Sequence, residues 1–151
     1  MSDSPELLVL EQFLPFQLNR ISESISQDFA QHYRREYGMT RPEWRTLAVL
    51  GQYGVLTSTQ ICHYSTMHKT KVSRAVQSLA KRSWLVRERD ASDRRLEYLQ
   101  LTAKGRGNYG KLVKLAREFE KELQNALTPS AYAKVQEALH LLEALELHRT
   151  P

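Results

Sequence analysis

Two consecutive arginines, Arg94 and Arg95, lie at the centre of a charged stretch of the sequence. Behind them, Leu99 and Leu101 alternate with more polar residues, which predicts a β-strand. The charged stretch therefore predicts the turn of a hairpin that begins near Leu85. Because a guanidinium group donates several hydrogen bonds in a fork that matches phosphate oxygens, two arginines at a hairpin tip indicate contact with a polyanion.

A second group of polar residues precedes this hairpin. Four apolar residues spaced i, i+3, i+4 and i+7 predict an amphipathic helix from about His68 to Arg82, and they are Val72, Ala75, Val76 and Leu79. Side chains on its other face are of the types that hydrogen-bond base edges in the major groove or hold phosphates. This candidate DNA-binding set consists of Lys69, Thr70, Lys71, Ser73, Arg74 and Gln77.

The elements that must position both groups follow from the residues just upstream. The pattern Thr57-x-x-Gln60 is a capping box, in which the hydroxyl and the amide each satisfy a backbone N–H of the other residue's turn. It predicts a short helix from about Ser58 to Tyr64, followed by a turn. Short helix, turn, basic helix and hairpin in this order form the layout of a winged helix-turn-helix, which favours binding to double-stranded DNA.

Longer helices are predicted before this region. An apolar stripe begins near Pro15 and continues to about Tyr37, where Gly38 is placed to end the helix. Pro42 is placed to begin the next helix, which we expect Gly51 and Gly54 to end. The stripe of the first helix contains Leu18, Ile21, Ile25, Phe29 and Tyr33, and the second helix buries Trp44, Leu47, Ala48 and Leu50.

Two more helices are predicted behind the hairpin. The first runs from Ala103 to about Ala126, and the pair Thr128-Pro129 begins the second. Their apolar stripes, like that of the N-terminal helix, are wider than a small central domain can cover. We therefore expect a symmetric homodimer that binds a palindromic operator, with packing of the helices within one chain as the alternative.

Charge is concentrated where the candidate residues lie. The chain of 151 residues has a net charge of +5, but Lys69–Arg117 alone has 14 Lys and Arg against 4 Asp and Glu, a local +10. The remainder has 8 basic and 13 acidic residues, which gives −5. Cys62 is the only cysteine, which excludes an intramolecular disulfide, and we interpret it as a core residue. With no apolar run of membrane-spanning length, the sequence predicts a cytoplasmic protein without a membrane partner.

Three motifs together resemble the MarR family of bacterial transcriptional regulators over nearly the whole chain. They are the run Thr40–Leu50, the segment Lys71-Val-Ser-Arg-Ala-Val76, and the wing pattern Asp90-x-x-Asp93-Arg94-Arg95 with Leu99-x-Leu101-Thr102-x-x-Gly105. The resemblance implies a mainly α fold with a small β wing. It places a winged helix-turn-helix lobe at about residues 40–102 and dimerisation helices at about 1–38 and 103–151, within a single domain of 1–151.

The resemblance also implies how DNA is held. The helix from His68 to Arg82 would enter the major groove, while Arg95, and secondarily Arg94, would insert into the minor groove, whose negative potential attracts arginine. We expect Asp93 to orient an arginine, since a carboxylate facing phosphates would repel them. Weaker phosphate candidates are Arg45, Ser65, Thr66, Arg87, Arg89 and Lys104, whereas Lys81, Arg82 and Lys111 are interpreted as solvated charges.

One residue departs from the family pattern. Ser83 follows the predicted recognition helix, where such proteins usually have glycine. A left-handed turn at this position costs about 1 kcal/mol or more without glycine. The departure concerns the local geometry and not the fold.

Members of this family often act as repressors that a small, often aromatic, ligand relieves, and we expect the same here. Tyr33, Tyr37, Trp44 and His32 are candidates for a pocket lining, but an aromatic stripe at helical spacing is also typical of a core, so no ligand residue is assigned. The sequence has no zinc-ligand spacing, indicates no cofactor and contains no recognisable catalytic constellation, which argues against an enzyme. The alternative function is a winged-helix architectural DNA-binding or protein-interaction module without a specific operator.

Overall fold

A computed structural model of the chain describes residues 6–145, so only the outer ends of the two predicted dimerisation segments, 1–5 and 146–151, lie outside the described residues. A 3-10 turn at Leu10–Gln12 precedes the first helix. The helices are α1 (Leu14–Tyr37), α2 (Arg41–Tyr53), α3 (Ser58–Ser65), α4 (Lys69–Lys81), α5 (Ala103–Leu127) and α6 (Pro129–Glu143), and the strands are β1 (Leu56–Thr57), β2 (Leu85–Arg89) and β3 (Glu97–Leu101). The predicted mainly α fold with a small β wing is confirmed.

The three strands form one antiparallel sheet in the order β1-β3-β2. Strands β2 and β3 form the predicted hairpin, in register from Leu85 opposite Leu101 to Arg89 opposite Glu97. Leu99 and Leu101 are buried, as their alternation predicts. The two-residue strand β1 was not predicted; it pairs Leu56 with Leu99 and thereby joins the start of α3 to the wing.

The helix ends follow the local chemistry. Gly38 ends α1 in the left-handed conformation, with φ of 60°. A capping box between Thr40 and Glu43 begins α2, and the one predicted between Thr57 and Gln60 begins α3. The expectation that Gly51 helps to end α2 is wrong. The helix continues to Tyr53, and Gly51 lies inside it. The ring of Tyr109 packs in the space that a side chain at Gly51 would occupy, which explains the glycine.

The core of the lobe is built around α4. Its predicted apolar stripe, Val72, Ala75, Val76 and Leu79, is buried and packs against α2 and β2. At about 25 cal/mol for each Å² of apolar surface removed from water, burying four such side chains contributes several kcal/mol and fixes the rotation of α4 about its axis. The opposite face of the same helix is consequently the one that solvent reaches.

The chain leaves α4 through a strained turn that sets the wing. Ser83 has φ of 62°, so the chain has a left-handed residue here even though the residue is not glycine. The carbonyl oxygen of Ser83 accepts a hydrogen bond from Thr102 Oγ1 at 2.7 Å, and that of Trp84 accepts one from Thr102 N at 3.0 Å. Gly105, in the first turn of α5, passes so close that a Cβ there would overlap the Trp84 carbonyl. These contacts hold the start of β2 against the start of α5.

The chain divides into two compact units between Leu112 and Val113. In the second unit, Thr128 Oγ1 accepts a hydrogen bond from Ala131 N and begins α6 as predicted. The Tyr132 hydroxyl donates to Glu120, which joins α6 to α5 within that unit. In residues 6–145, no helix is both long and apolar enough to cross a membrane.

We predict opposite stability changes for two alanine substitutions in the same helix. Gly105→Ala places a methyl group against the Trp84 carbonyl and should lower the free energy of unfolding by about 1–3 kcal/mol. Gly107→Ala meets nothing within 4 Å and should raise it by about 0.5–1 kcal/mol, because alanine has less conformational entropy to lose. Urea unfolding of both variants measures the difference. Equal effects would contradict the close approach at Gly105.

Candidate nucleic-acid interface

The outer face of α4 is a continuous polar surface. All six residues predicted to bind DNA from this helix are exposed, namely Lys69, Thr70, Lys71, Ser73, Arg74 and Gln77. At about 100° per residue, Thr70, Arg74 and Gln77 lie directly opposite the buried stripe, whereas Lys71 lies on one flank. Lys81, interpreted from sequence as a solvated charge, is exposed and continues the same outer row. Within residues 6–145, no side-chain hydrogen bond or ion pair engages Lys69, Arg74 or Lys81.

The turn before α4 is held by an arginine of α2. Arg45 donates from one guanidinium nitrogen to the Ser65 carbonyl at 2.5 Å and to Thr66 Oγ1 at 3.0 Å. Thr66 ends α3 in the left-handed conformation, with φ of 55°. Ser65 is buried, and its hydroxyl accepts a hydrogen bond from Met67 N, so its side chain is removed as a phosphate candidate. Arg45 thus positions the start of α4, and partial burial lowers its pKa.

The other end of α4 is held by Arg82, for which the interpretation as a solvated charge is wrong. Its guanidinium donates to the Tyr37 carbonyl at 2.7 Å and to the Gly38 carbonyl at 3.3 Å, which satisfies the C-terminal carbonyls of α1. It also lies 3.5 Å from the Glu43 carboxylate and over the ring of Trp84. One side chain therefore joins the end of α4 to the end of α1 and the start of α2.

A cross-strand ion pair stiffens the wing. Arg87 on β2 donates two hydrogen bonds of 2.9 Å to the carboxylate of Glu97 on β3. The hydrogen bond from Arg87 lowers the pKa of Glu97, and the same contact raises the pKa of Arg87. Arg87 is thus engaged within the protein, whereas Arg89, another weaker candidate, is exposed.

Two aspartates shape the wing tip. Asp90 Oδ1 accepts hydrogen bonds from Ser92 N at 2.8 Å, Ser92 Oγ at 2.7 Å and Asp93 N at 2.9 Å. Leu96 N then donates to the Asp93 carbonyl at 3.0 Å, which closes a four-residue turn. Arg94 and Arg95 are its two central residues and both are exposed. Aspartate at the first position is typical of such a turn, because its carboxylate can accept the backbone N–H two residues on.

The carboxylate of Asp93 pairs with one of the two arginines. Its Oδ1 accepts from Arg95 N at 3.0 Å and from Arg95 Nε at 3.2 Å. The Arg95 side chain is nevertheless 92% exposed. An ion pair this open to water contributes only about 0–1 kcal/mol, so a phosphate or a groove can replace the carboxylate at little cost. Asp93 therefore contacts an arginine, as expected from the sequence. The role of this ion pair in DNA binding stays a prediction.

The aromatic residues considered for a pocket lie in packed contacts. The ring of Tyr33, 1% exposed, stacks on Trp44 with centroids 5.9 Å apart, and Phe29 meets both rings edge-on. Tyr37 contacts Trp84 edge-on, and His32 lies against Phe29. Cys62 is half-buried on α3. In the part of the chain that the structure describes, no group of His, Cys, Asp and Glu could hold a metal ion.

Arg45 and Arg82 are the site-positioning residues that sequence reasoning missed or misassigned. A weak signal existed for Arg82. It directly precedes Ser83, the residue that replaces the usual glycine where the chain must turn. Nothing local distinguishes an arginine that bonds carbonyls from one that faces solvent, because the partners of Arg82 lie more than 40 residues away along the chain.

Comparisons with a family model and with solved structures both indicate the MarR family. A family model described as the MarR family matches residues 37–96. A MarR family transcriptional regulator from Silicibacter pomeroyi DSS-3 is 30% identical, with a TM-score of 0.78 over 90% of this chain and 96% of that one. No curated protein sequence matches.

Two further structures share the fold at lower identity. BpsR from Bordetella bronchiseptica, whose DNA binding is regulated by 6-hydroxynicotinic acid, is 18% identical with a TM-score of 0.78 over 93% of this chain and all of that one. NadR, solved in complex with 4-hydroxyphenylacetate, is 18% identical with a TM-score of 0.71 over 97% and 99% of the two chains. At this identity the likeness concerns the fold alone.

We predict an unusually acidic carboxyl group at the wing tip. Hydrogen bonds from the Ser92 hydroxyl and from the backbone of Asp93 and Ser92 lower the pKa of Asp90 from its ordinary 3.8 to about 2. Since the folded-state pKa is lowered, the stabilisation is present above pH 3.8 and is lost as the pH falls through about 2. A carboxyl ¹³C NMR titration should place the Asp90 midpoint near 2, and Ser92→Ala should raise it. A wild-type midpoint near 3.8 would mean that these hydrogen bonds do not form.

Proposed function

The chain belongs to the MarR family of transcriptional regulators, and from this membership we propose a sequence-specific, homodimeric repressor of transcription. In this proposal it binds a palindromic operator in double-stranded DNA and is released by a small aromatic acid. The observation that carries the proposal is the pairing of an exposed polar and cationic α4 face with a wing whose tip is formed by Arg94 and Arg95.

The proposed contacts divide by groove. In the major groove, Arg74 and Lys71 contact guanine or phosphate, while Ser73, Thr70 and Gln77 contact base edges. Lys69, at the start of α4, contacts phosphate. At the wing, Arg95 enters the minor groove with Arg94 beside it, and Asp93 keeps the Arg95 side chain extended until DNA replaces the carboxylate. The basic surplus of +10 between Lys69 and Arg117 supplies the accompanying attraction to the DNA backbone.

A homodimer accounts for apolar side chains that the chain itself leaves in water. On α1, Ile21 is 57% exposed, and on α6, Leu141 is 66% exposed. Contiguous apolar surface of this kind on a helix is typical of an interface with another chain. The row of Ile21 on α1 also contains Leu14, Leu18 and Ile25, and α6 exposes Val135 and Leu139 on a different side from Leu141. A twofold dimer would present two α4 helices to half-sites one helical turn apart.

Release by an aromatic acid is supported by two proteins of the same fold. The DNA binding of BpsR is regulated by 6-hydroxynicotinic acid, and NadR binds 4-hydroxyphenylacetate. Both ligands combine one small ring with a carboxylate. Because the rings considered for a pocket, Tyr33, Tyr37, Trp44 and His32, lie in packed contacts, we assign the ligand class and no ligand residue.

We predict a strong preference for a selected operator. A duplex selected from random DNA by repeated rounds of binding should be preferred over a scrambled duplex by about a thousandfold or more in a mobility-shift titration. Arg95→Ala should weaken operator binding at least tenfold, because the minor-groove contact is lost. Lys69→Gln should instead lower the slope of log affinity against log salt by about one.

Lys111→Gln, an exposed charge on α5 outside the proposed surface, is the matched control and should leave the preference unchanged. Equal affinity for all duplexes would support the architectural alternative, and unchanged affinity of Arg95→Ala would remove the wing from the site. Adding 4-hydroxyphenylacetate or 6-hydroxynicotinate tests the ligand class separately. Release by neither acid would argue against that part of the proposal alone.

We predict that the protein sediments at twice its chain mass of 17.5 kDa at micromolar concentration. Replacing Val135 and Leu139 with glutamate should shift it to the monomer, because charge would replace apolar contact at the proposed interface. Analytical ultracentrifugation measures both states. A wild-type monomer at this concentration would contradict the dimer.

A further inference from the structure

The guanidinium of Arg82 lies where three parts of the lobe meet. It donates to the Tyr37 carbonyl at 2.7 Å and to the Gly38 carbonyl at 3.3 Å, both at the end of α1. It lies 3.5 Å from the Glu43 carboxylate of α2 and 5.5 Å from the centre of the Trp84 ring, just before β2. Because Arg82 itself ends α4, one planar group joins α4 to α1, to α2 and to the wing.

The last residue of α1 also contacts the wing directly. The ring of Tyr37 meets the ring of Trp84 edge-on, with centroids 5.3 Å apart. Tyr37 thus accepts a hydrogen bond from the end of α4 through its backbone and packs on the residue before β2 through its side chain. Trp84 is 5% exposed, so this packing belongs to the core. Both proposed DNA-contacting elements, α4 and the wing, are consequently tied to the end of α1.

Arg82 lies on the inner side of α4. At about 100° per residue, it falls within about 20° of the buried Ala75 and about 120° from Thr70 on the outer face. Its side chain is 28% exposed, against 92% for Arg95 at the wing tip. Its guanidinium is occupied by the acceptors of α1 and α2. An effect of Arg82 on DNA binding therefore has to act through the positions of α4 and the wing.

We propose that Arg82 is a positioning residue for operator recognition, which holds α4 and the wing in the relative placement that base reading needs and does not contact DNA itself. The proposal rests on the proposed function. Contacts to base edges need side chains held to within about 0.5 Å, because hydrogen bonds weaken steeply when their geometry is lost. Phosphate contacts from flexible lysine side chains tolerate a displaced helix. Loss of Arg82 therefore lowers the preference for the operator more than the affinity for DNA in general.

Lysine cannot reproduce the contacts of Arg82. The planar fork of the guanidinium reaches two carbonyl oxygens and a carboxylate while it lies over an indole ring. An ammonium group is a compact point charge without a planar face. Arg82→Lys keeps the positive charge beside Glu43, so the long-range attraction to the DNA backbone is unchanged. This substitution separates the geometry of the guanidinium from its charge.

The test compares a duplex selected for binding with a scrambled duplex of the same length, by fluorescence anisotropy at several salt concentrations. Arg82→Lys should lower the preference for the selected duplex about threefold to tenfold and change the affinity for the scrambled duplex less than about twofold. Arg82→Gln, which also removes the charge, should lower the preference about tenfold or more. The slope of log affinity against log salt should be unchanged in both variants, because no phosphate contact is lost.

Two other roles for Arg82 give different results. If Arg82 contacts phosphate, Arg82→Gln lowers the affinity for both duplexes alike and lowers the salt slope by about one. If Arg82 only stabilises the fold, its loss lowers both affinities alike, because fewer molecules are folded. Leu112→Ala is the matched control for that case, since Leu112 is fully buried on α5 outside these contacts, and it should leave the preference unchanged. Either of the two other results would overturn the positioning role.

Circular dichroism at the assay temperature shows which variants are folded. If Arg82→Gln does not fold, the more conservative Arg82→Lys decides alone. An unchanged preference for the selected duplex in folded Arg82→Lys would overturn the positioning role while the proposed function stands. A wild type that binds both duplexes equally would overturn the proposed function, and the positioning role with it.

Discussion

The geometry of the lobe depends on Arg82. Its guanidinium bonds the last carbonyls of α1, lies beside the carboxylate that caps α2, and stacks over Trp84 at the start of the wing. Since Glu43 is only 8% exposed, loss of Arg82 would leave a nearly buried carboxylate and two helix-terminal carbonyls without this partner. The apolar stripe of α4 fixes how the helix is rotated, and Arg82 fixes where it ends.

The position of the wing also depends on the end of α4, where Arg82 makes these contacts. The turn at Ser83 brings Trp84 against Thr102 and Gly105, so the hairpin leaves the lobe at the point where Arg82 holds α4. At the far end of the hairpin, Asp90 and Asp93 order the turn that exposes both arginines. The two proposed DNA-contacting groups, one on a helix and one on a turn, are thereby parts of one hydrogen-bonded framework. Arg45 completes that framework at the start of α4.

Patterns that depend on near neighbours were readable from the sequence. The stripe of α4, the capping box at Thr57 and the hairpin were all predicted and confirmed, because each is determined within a few residues. What the sequence did not reveal depends on distant partners. The internal hydrogen bonds of Arg82 and Arg45 were not foreseen, because their acceptors are brought close only by folding. Gly51 was taken for a helix end because its neighbour Tyr109 belongs to α5.

In the proposed function, α4 and the wing tip together form the DNA-contacting surface. Backbone amide NMR of the ¹⁵N-labelled protein, with and without a duplex selected for binding, tests it residue by residue. We expect the largest chemical-shift changes in two separate segments, 69–77 and 90–96, at the same DNA concentration. Changes confined to α6, or to only one of the two segments, would contradict it.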